Sequence, residues 1–113
     1  MKQHLYLQIA SKLRTTILRG DYAPEQQIPS IRRLAENEKC NPATVQKAMK
    51  VLEEQNLVIS CGTLGYFVIA SEQDIKELRY QESNKLVKIL FEKLGELGFS
   101  EDEIVNLFFR KDA

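Results

Sequence analysis

Residues 28–52 read Ile28-Pro29-Ser30-Ile31-Arg32-Arg33-Leu34-Ala35-Glu36-Asn37-Glu38-Lys39-Cys40-Asn41-Pro42-Ala43-Thr44-Val45-Gln46-Lys47-Ala48-Met49-Lys50-Val51-Leu52. Ser30 is a favoured N-cap, and Ile31, Leu34 and Ala35 follow it at helical spacing. Asn37 to Cys40 carries no period and reads as a turn. Asn41-Pro42 then opens a second helix. Asparagine caps well, and proline suits the first helical position because its missing N–H would have had no intrahelical partner. Val45, Ala48, Met49 and Leu52 form the buried face of this helix, with Thr44, Gln46, Lys47 and Lys50 on the other side. Two short helices joined by a short turn are a helix-turn-helix pattern.

Upstream, Leu5, Ile9, Leu13 and Ile17 recur every fourth residue, with Tyr6 and Ala10 beside them. The spacing predicts a helix over about residues 3–19, stopped by Gly20 and followed by a turn at Asp21-Tyr22-Ala23-Pro24. Downstream the period changes. Leu57-Val58-Ile59-Ser60-Cys61 and Tyr66-Phe67-Val68-Ile69 are β-branched and aromatic runs on either side of Gly62-Thr63-Leu64-Gly65, which predicts a β-hairpin. Helix, helix, turn, helix, hairpin is the order of a winged helix-turn-helix.

From Ser71 the helical period returns. Ile75, Leu78, Leu86, Ile89, Leu90, Leu94 and Leu97 predict a long helix over about 72–97, ended by Gly98. Ser100 with Glu103 is a capping box that opens a last helix of about 10 residues, with Ile104, Leu107 and Phe108 inward. Leu90, Phe91, Leu94, Phe99, Phe108 and Phe109 are more large apolar side chains than one helical hairpin can cover, so a second copy of the chain is expected to complete the burial. The expected pairing surface is Leu86, Ile89, Leu90, Phe91, Leu94, Leu97, Phe99, Ile104, Leu107 and Phe108. The fold class is mainly α with a small β-hairpin: a winged helix-turn-helix over 1–70, then a two-helix dimerisation module over 71–113.

Composition narrows the function. The 113 residues are 43% hydrophobic and 28% charged, as in an ordinary globular chain. No apolar run approaches the roughly 20 residues of a membrane span. Met1-Lys2-Gln3-His4-Leu5-Tyr6 has no apolar signal core, so a cytoplasmic location is expected. The formal charge of +0 conceals an asymmetry. Residues 1–70 carry nine Lys/Arg against six acids, and residues 71–113 seven against ten. A basic half joined to an acidic half suits a nucleic-acid module attached to something that avoids phosphate. Cys40 and Cys61 stand alone, and His4 is the one histidine, which argues against a zinc site and against nucleophile–base chemistry. No glycine-rich phosphate loop is present, so neither an enzyme nor a cofactor is expected.

The first 70 residues resemble the DNA-binding domain of the GntR family of bacterial transcription regulators. The resemblance is carried by Leu5-Tyr6-x-Gln8-Ile9, Leu13-Arg14-x-x-Ile17-x-x-Gly20, and Pro24 ahead of Ile28-Pro29-Ser30-x-Arg32-x-Leu34-Ala35. It continues through Asn41-Pro42-x-Thr44-Val45-x-x-Ala48, Leu52-Glu53 and Gly62-x-x-Gly65-x-Phe67-Val68. The short tail is similar to the YtrA-type subfamily, as is Asn-Pro before Thr44. That likeness implies a dimerising tail, control of an ABC transporter operon, and little room for an effector, whose identity the sequence does not supply. Two half-sites add their binding free energies at small entropic cost, so a homodimer on an inverted-repeat operator is expected, and a compact dimer there blocks polymerase, so repression is expected.

A recognition helix presents its N-terminal residues to base edges in the major groove. Gln46 can bind adenine bidentately, Thr44 can bond a phosphate oxygen, and Arg32 stands where the family's arginine reaches DNA. Ser30, Arg33, Asn41, Ala43, Lys47, Gly62 and Thr63 complete the expected contact set with double-stranded DNA. Two departures from the family pattern stand out. Glu25 occupies a position usually held by glycine, so a tighter or differently shaped turn is expected. The wing, Cys61-Gly62-Thr63-Leu64-Gly65, lacks the basic residues that usually flank its first glycine, so a smaller wing contribution to DNA binding is expected. The uncharged wing also leaves open a protein-interaction winged helix that does not bind DNA. Cys61 leaves open a thiol sensor, although no neighbouring base activates it in sequence.

Overall fold

The computed structural model describes residues 4–110. Its elements are α1 (Leu5–Leu18), α2 (Ile31–Glu38), α3 (Pro42–Glu54), β1 (Val58–Ser60), β2 (Tyr66–Val68), α4 (Glu72–Glu96) and α5 (Glu101–Leu107). A single 3-10 turn, Gly62–Leu64, joins the two strands. The chain divides into two compact units, Met1–Glu77 and Leu78–Ala113.

In the first unit α3 packs on both α1 and α2. α1 buries Ile9, Ala10, Leu13, Ile17 and Leu18, while Leu5, the first member of the expected stripe, stays 47% exposed. Gln3, the expected start of this helix, lies outside the described residues. The helix closes as the sequence predicts: Gly20 takes φ 91°, and the N–H groups of Gly20 and Asp21 donate to the carbonyls of Ile17 and Thr16. α2 runs further than the lack of period suggested. Asn37 and Glu38 are helical, and the turn is confined to Lys39 and Cys40. Lys39 takes the left-handed conformation that ends the helix, with φ 53° and ψ 49°. Val45, Ala48, Met49 and Leu52 of α3 are all fully buried, as expected.

β1 and β2 pair antiparallel, Val58 opposite Val68 and Ser60 opposite Tyr66. Val58 and Val68 are buried, whereas Ile59 is 43% exposed. The ribbon is anchored at the Val58–Val68 end, and burial falls off toward Ser60 and Tyr66. A third segment joins the ribbon without being predicted. Gln27 bridges Phe67, Ile28 N–H donates to Tyr66 O at 2.9 Å, and Val68 N–H donates to Gln26 O at 3.0 Å. Glu25 begins this segment with φ 71°. It holds a conformation that glycine adopts at little cost, its N–H tied to Val68 O at 2.8 Å.

At the start of α4, Ser71 and Asp74 exchange two hydrogen bonds, each backbone N–H donating to the other's side chain. Ile75 is buried in the first unit. In the second unit, Gly98 at φ 95° ends the helical run, and Phe99 N–H donates to Leu94 O at 3.1 Å. The capping box of α5 forms in full between Ser100 and Glu103. Ile104 is buried at 2% exposure, and Leu107, Phe91 and Leu94 are half-buried. Phe108 departs from the expectation of an inward residue: it caps a helix only seven residues long and is 65% exposed. Residue 108 therefore falls past the last turn, where helical spacing no longer dictates its side.

Gly65 sets the geometry of the hairpin. It adopts φ 102° and ψ −154°, and a Cβ there would meet Gln27 Nε2 at 3.3 Å. Gly65→Ala is expected to lower stability by about 1–3 kcal/mol. Glu25→Gly, which relieves a strained φ, is expected to raise it by up to about 1 kcal/mol. Urea unfolding of the two variants against wild type measures both signs.

Candidate nucleic-acid interface

The expected DNA-reading residues lie on the exposed sides of α2 and α3 and on the hairpin tip. Ser30 is the N-cap of α2, its Oγ accepting from Arg33 N–H at 3.1 Å. Asn41 is the N-cap of α3, its Oδ1 accepting from Ala43 N–H at 2.9 Å, with Pro42 in the first turn. The accepting oxygen of each cap, the Ser30 hydroxyl and the Asn41 amide carbonyl, is thus engaged locally, leaving the Ser30 hydroxyl hydrogen and the Asn41 amide hydrogens to donate outward. Arg32, Arg33, Ala43, Gln46 and Lys47 are exposed, and Thr44 is half-buried. Arg32, Ala35, Glu36, Lys39, Cys40, Asn41 and Pro42 line an open cleft between α2 and the start of α3. Gly62 and Thr63 are exposed on the hairpin's 3-10 turn.

Charge is sorted over this unit. On α1, Lys12 Nζ pairs with Glu38 at 2.7 Å. Just beyond it, Arg19 pairs with Asp21. The Arg19 hydrogen bond holds the Asp21 carboxyl below its ordinary value, and the same bond raises the Arg19 guanidinium. Arg14 Nη1 donates to Gln55 Oε1 at 3.0 Å. Arg32, Arg33, Lys39 and Lys50 make no ion pair among the described residues. The two cations with carboxylate partners, Lys12 and Arg19, lie on or beside α1, and the four named cations without one lie on or between the two helices of the helix-turn-helix.

One participant escaped the sequence reading. Tyr6, at the start of α1, places its ring 5.6 Å from Lys47 Nζ, a cation–π distance. His4 stacks on the other partner of this contact, with 6.0 Å between its ring centroid and that of Tyr6. Lys47 is therefore held beside α1. The residues are far apart in sequence and share no local pattern, so only the packing of α1 on α3 joins them. Among the described residues, no group of three His, Cys, Asp or Glu could hold a metal ion. No helix among the described residues is long and apolar enough to cross a membrane.

A helix-turn-helix with unpaired cations beside a short antiparallel hairpin defines the DNA-binding fold of a winged-helix transcription regulator. Residues 5–68 match the family described as bacterial regulatory proteins, gntR family, and the chain belongs to that family. It is 26% identical to the uncharacterized HTH-type transcriptional regulator YhcF of Bacillus subtilis over 89% of this chain and 84% of that protein. It is 33% identical to the HTH-type transcriptional repressor YtrA of the same organism, over 57% of this chain and 49% of that protein. A GntR family transcriptional regulator from Listeria monocytogenes has the same fold, with a TM-score of 0.86 at 24% identity over 95% of this chain and 94% of the other. The DNA-binding domain of AraR, solved in complex with operator ORR3, matches with a TM-score of 0.58 at 28% identity over 60% of this chain and 82% of that domain.

The Tyr6–Lys47 contact carries its own prediction. Tyr6→Leu removes the ring that restrains Lys47 and is expected to weaken operator binding about two- to fivefold, in line with an exposed cation–π pair. Tyr6→Phe keeps the ring face and is expected to bind like wild type. Fluorescence anisotropy with labelled DNA compares the three proteins.

Proposed function

We propose that this chain is a sequence-specific transcription repressor that binds an inverted-repeat operator as a homodimer, in the cytoplasm. The observation that carries the reading is the sorting of charge: among the described residues the cations of α2, α3 and the turn between them make no ion pair, while Lys12 on α1 and Arg19 just beyond it are paired with carboxylates. Phosphate neutralisation supplies much of DNA affinity, and cations already engaged in ion pairs contribute less to it. In this reading Arg32 reaches a phosphate or a guanine, and Gln46 reads a base edge. Thr44, Ser30, Arg33, Asn41 and Lys47 fix the helix on the backbone, and Ala43 allows close approach. The AraR domain, solved in complex with an operator, supports a DNA target for the same fold. YtrA, a repressor by name, supports repression and a YtrA-like grouping; a transporter operon as the regulated target rests on the resemblance of the short tail alone.

The DNA-reading part is assigned to residues 1–70 and the pairing part to residues 71–113. What supports pairing is the apolar surface of the second unit: Leu86 is 64% exposed, Ile89 49%, Leu90 39% and Leu97 74%, and Phe99 and Phe108 are exposed as well. Such a surface on an otherwise charged helix invites a second copy, and a self-complementary two-fold interface covers it on both chains at once. Linking two readers converts the second half-site contact into an intramolecular event, so modest half-sites sum to a specific operator.

Two measurements test this reading. Arg32→Ala is expected to weaken operator binding and to flatten the slope of log K against log salt by about one unit, while Thr63→Ala leaves that slope unchanged. Unchanged affinity and slope in Arg32→Ala would contradict the assignment. Leu86→Asp puts a charge on a side chain that is already exposed in the single chain. It is expected to give folded monomers by sedimentation velocity, where wild type sediments as a dimer.

A further inference from the structure

The wing tip is well built and carries no charge. From Val51 to Ile75 the chain contains no Lys or Arg, so the hairpin brings no cation to a phosphate. The tip presents Leu64 instead, 68% exposed on the 3-10 turn. The turn around it is tightly held. Cys61 N–H donates to Gly65 O at 2.7 Å, and Leu64 N–H donates to Cys61 O at 3.2 Å. From the neighbouring segment, Gln27 Nε2 donates to the carbonyl of Leu64 itself at 2.6 Å. Gly65, in a conformation available almost only to glycine, lets that amide come close. The backbone of Leu64 is thus clamped from two sides while its side chain stays in solvent.

We propose that Leu64 is an apolar wedge that enters the minor groove beside each half-site and makes the adjoining base step a specificity position. This rests on the operator-binding reading above. With the recognition helix in the major groove, the hairpin, whose β1 packs on α3, offers its tip to the adjoining minor groove, which is only about 6 Å wide. Proteins that use the minor groove insert leucine and similar side chains between base pairs and partly unstack them. One leucine flanked by Thr63 and Gly65 suits that task, and it is far smaller than the roughly 1,000 Å² a stable protein interface requires. With no charge and no side-chain donor, Leu64 reads deformability: the flexible pyrimidine–purine steps, TA and CA/TG, open at the lowest cost.

The test uses the full chain and the operator recovered by selection from a random-sequence duplex library. Leu64→Ala is expected to lose about five- to thirtyfold in affinity, the scale of a contact that offsets unstacking. Its salt slope stays the same, because no phosphate contact is lost. It also loses the preference for a pyrimidine–purine step at the flanking position. 2-Aminopurine placed in that step brightens when wild type binds and stays dark with Leu64→Ala. Leu64→Met, which keeps an apolar wedge, restores both signals. Leu64→Ala with wild-type affinity and wild-type base preference overturns the proposal. So does intact operator binding combined with lost repression in cells, which points to a protein docked on the wing. If wild type selects no sequence at all, the operator-binding reading fails and this inference with it.

Discussion

The structure depends on the burial of one face of α3. Val45, Ala48, Met49 and Leu52 are all wholly withdrawn from water. Each of the large side chains among them contributes roughly 1.5–3 kcal/mol by that burial. Rotating α3 about its axis would expose this face, so the burial fixes the rotation. Once the rotation is fixed, Gln46, Lys47 and Lys50 have no side to occupy but the outer one. α1 and α2 supply the surface α3 packs on. Two left-handed residues, Lys39 before α3 and Asn56 after it, turn the chain sharply enough for α2 and β1 to reach that surface. A DNA-facing surface is in this sense the remainder left when the core is satisfied.

The same core explains how far the sequence could be read. α2, α3 and α5 carried both a period and an N-cap. Ser30, Asn41 and Ser100 each cap the helix they were expected to cap. The strand-like segment at Gln26–Ile28 had neither signal. Two glutamines and an isoleucine show no alternation, and the segment exists because β2 offers it hydrogen-bond partners. The end of α2 was misplaced for a related reason. Asn37 is a poor helix former, neither it nor Glu38 extends the apolar stripe, and Lys39, with no glycine to announce it, provides the stop. Phe108 was expected inward on helical spacing that ends one residue too early. Tyr6 was legible as part of a family pattern, but its place against Lys47 is a tertiary fact.

Net charge proved a poor guide and pairing a better one. A formal charge of +0 suggests no attraction to nucleic acid. Ion pairs on or beside α1 leave the helix-turn-helix cations as the ones able to answer a phosphate. The hairpin contributes shape and apolar contact in place of charge. The second unit contributes exposed leucines and phenylalanines that a single chain leaves in water. Three surfaces of different chemistry thus match the three proposed tasks: cationic helices for the backbone and base edges, an uncharged tip for the neighbouring groove, and an apolar helical hairpin for self-association.

The central claim is that two copies of α3, each held by its own core, read two symmetric half-sites. Hydroxyl-radical footprinting of the selected duplex, with the protein-to-DNA ratio fixed by native mass spectrometry, tests this most directly. The account predicts two chains per duplex and protection related by two-fold symmetry, with half-site centres separated by about one helical turn, ~34 Å, or a multiple of it. One chain bound to a single asymmetric protected patch would contradict it.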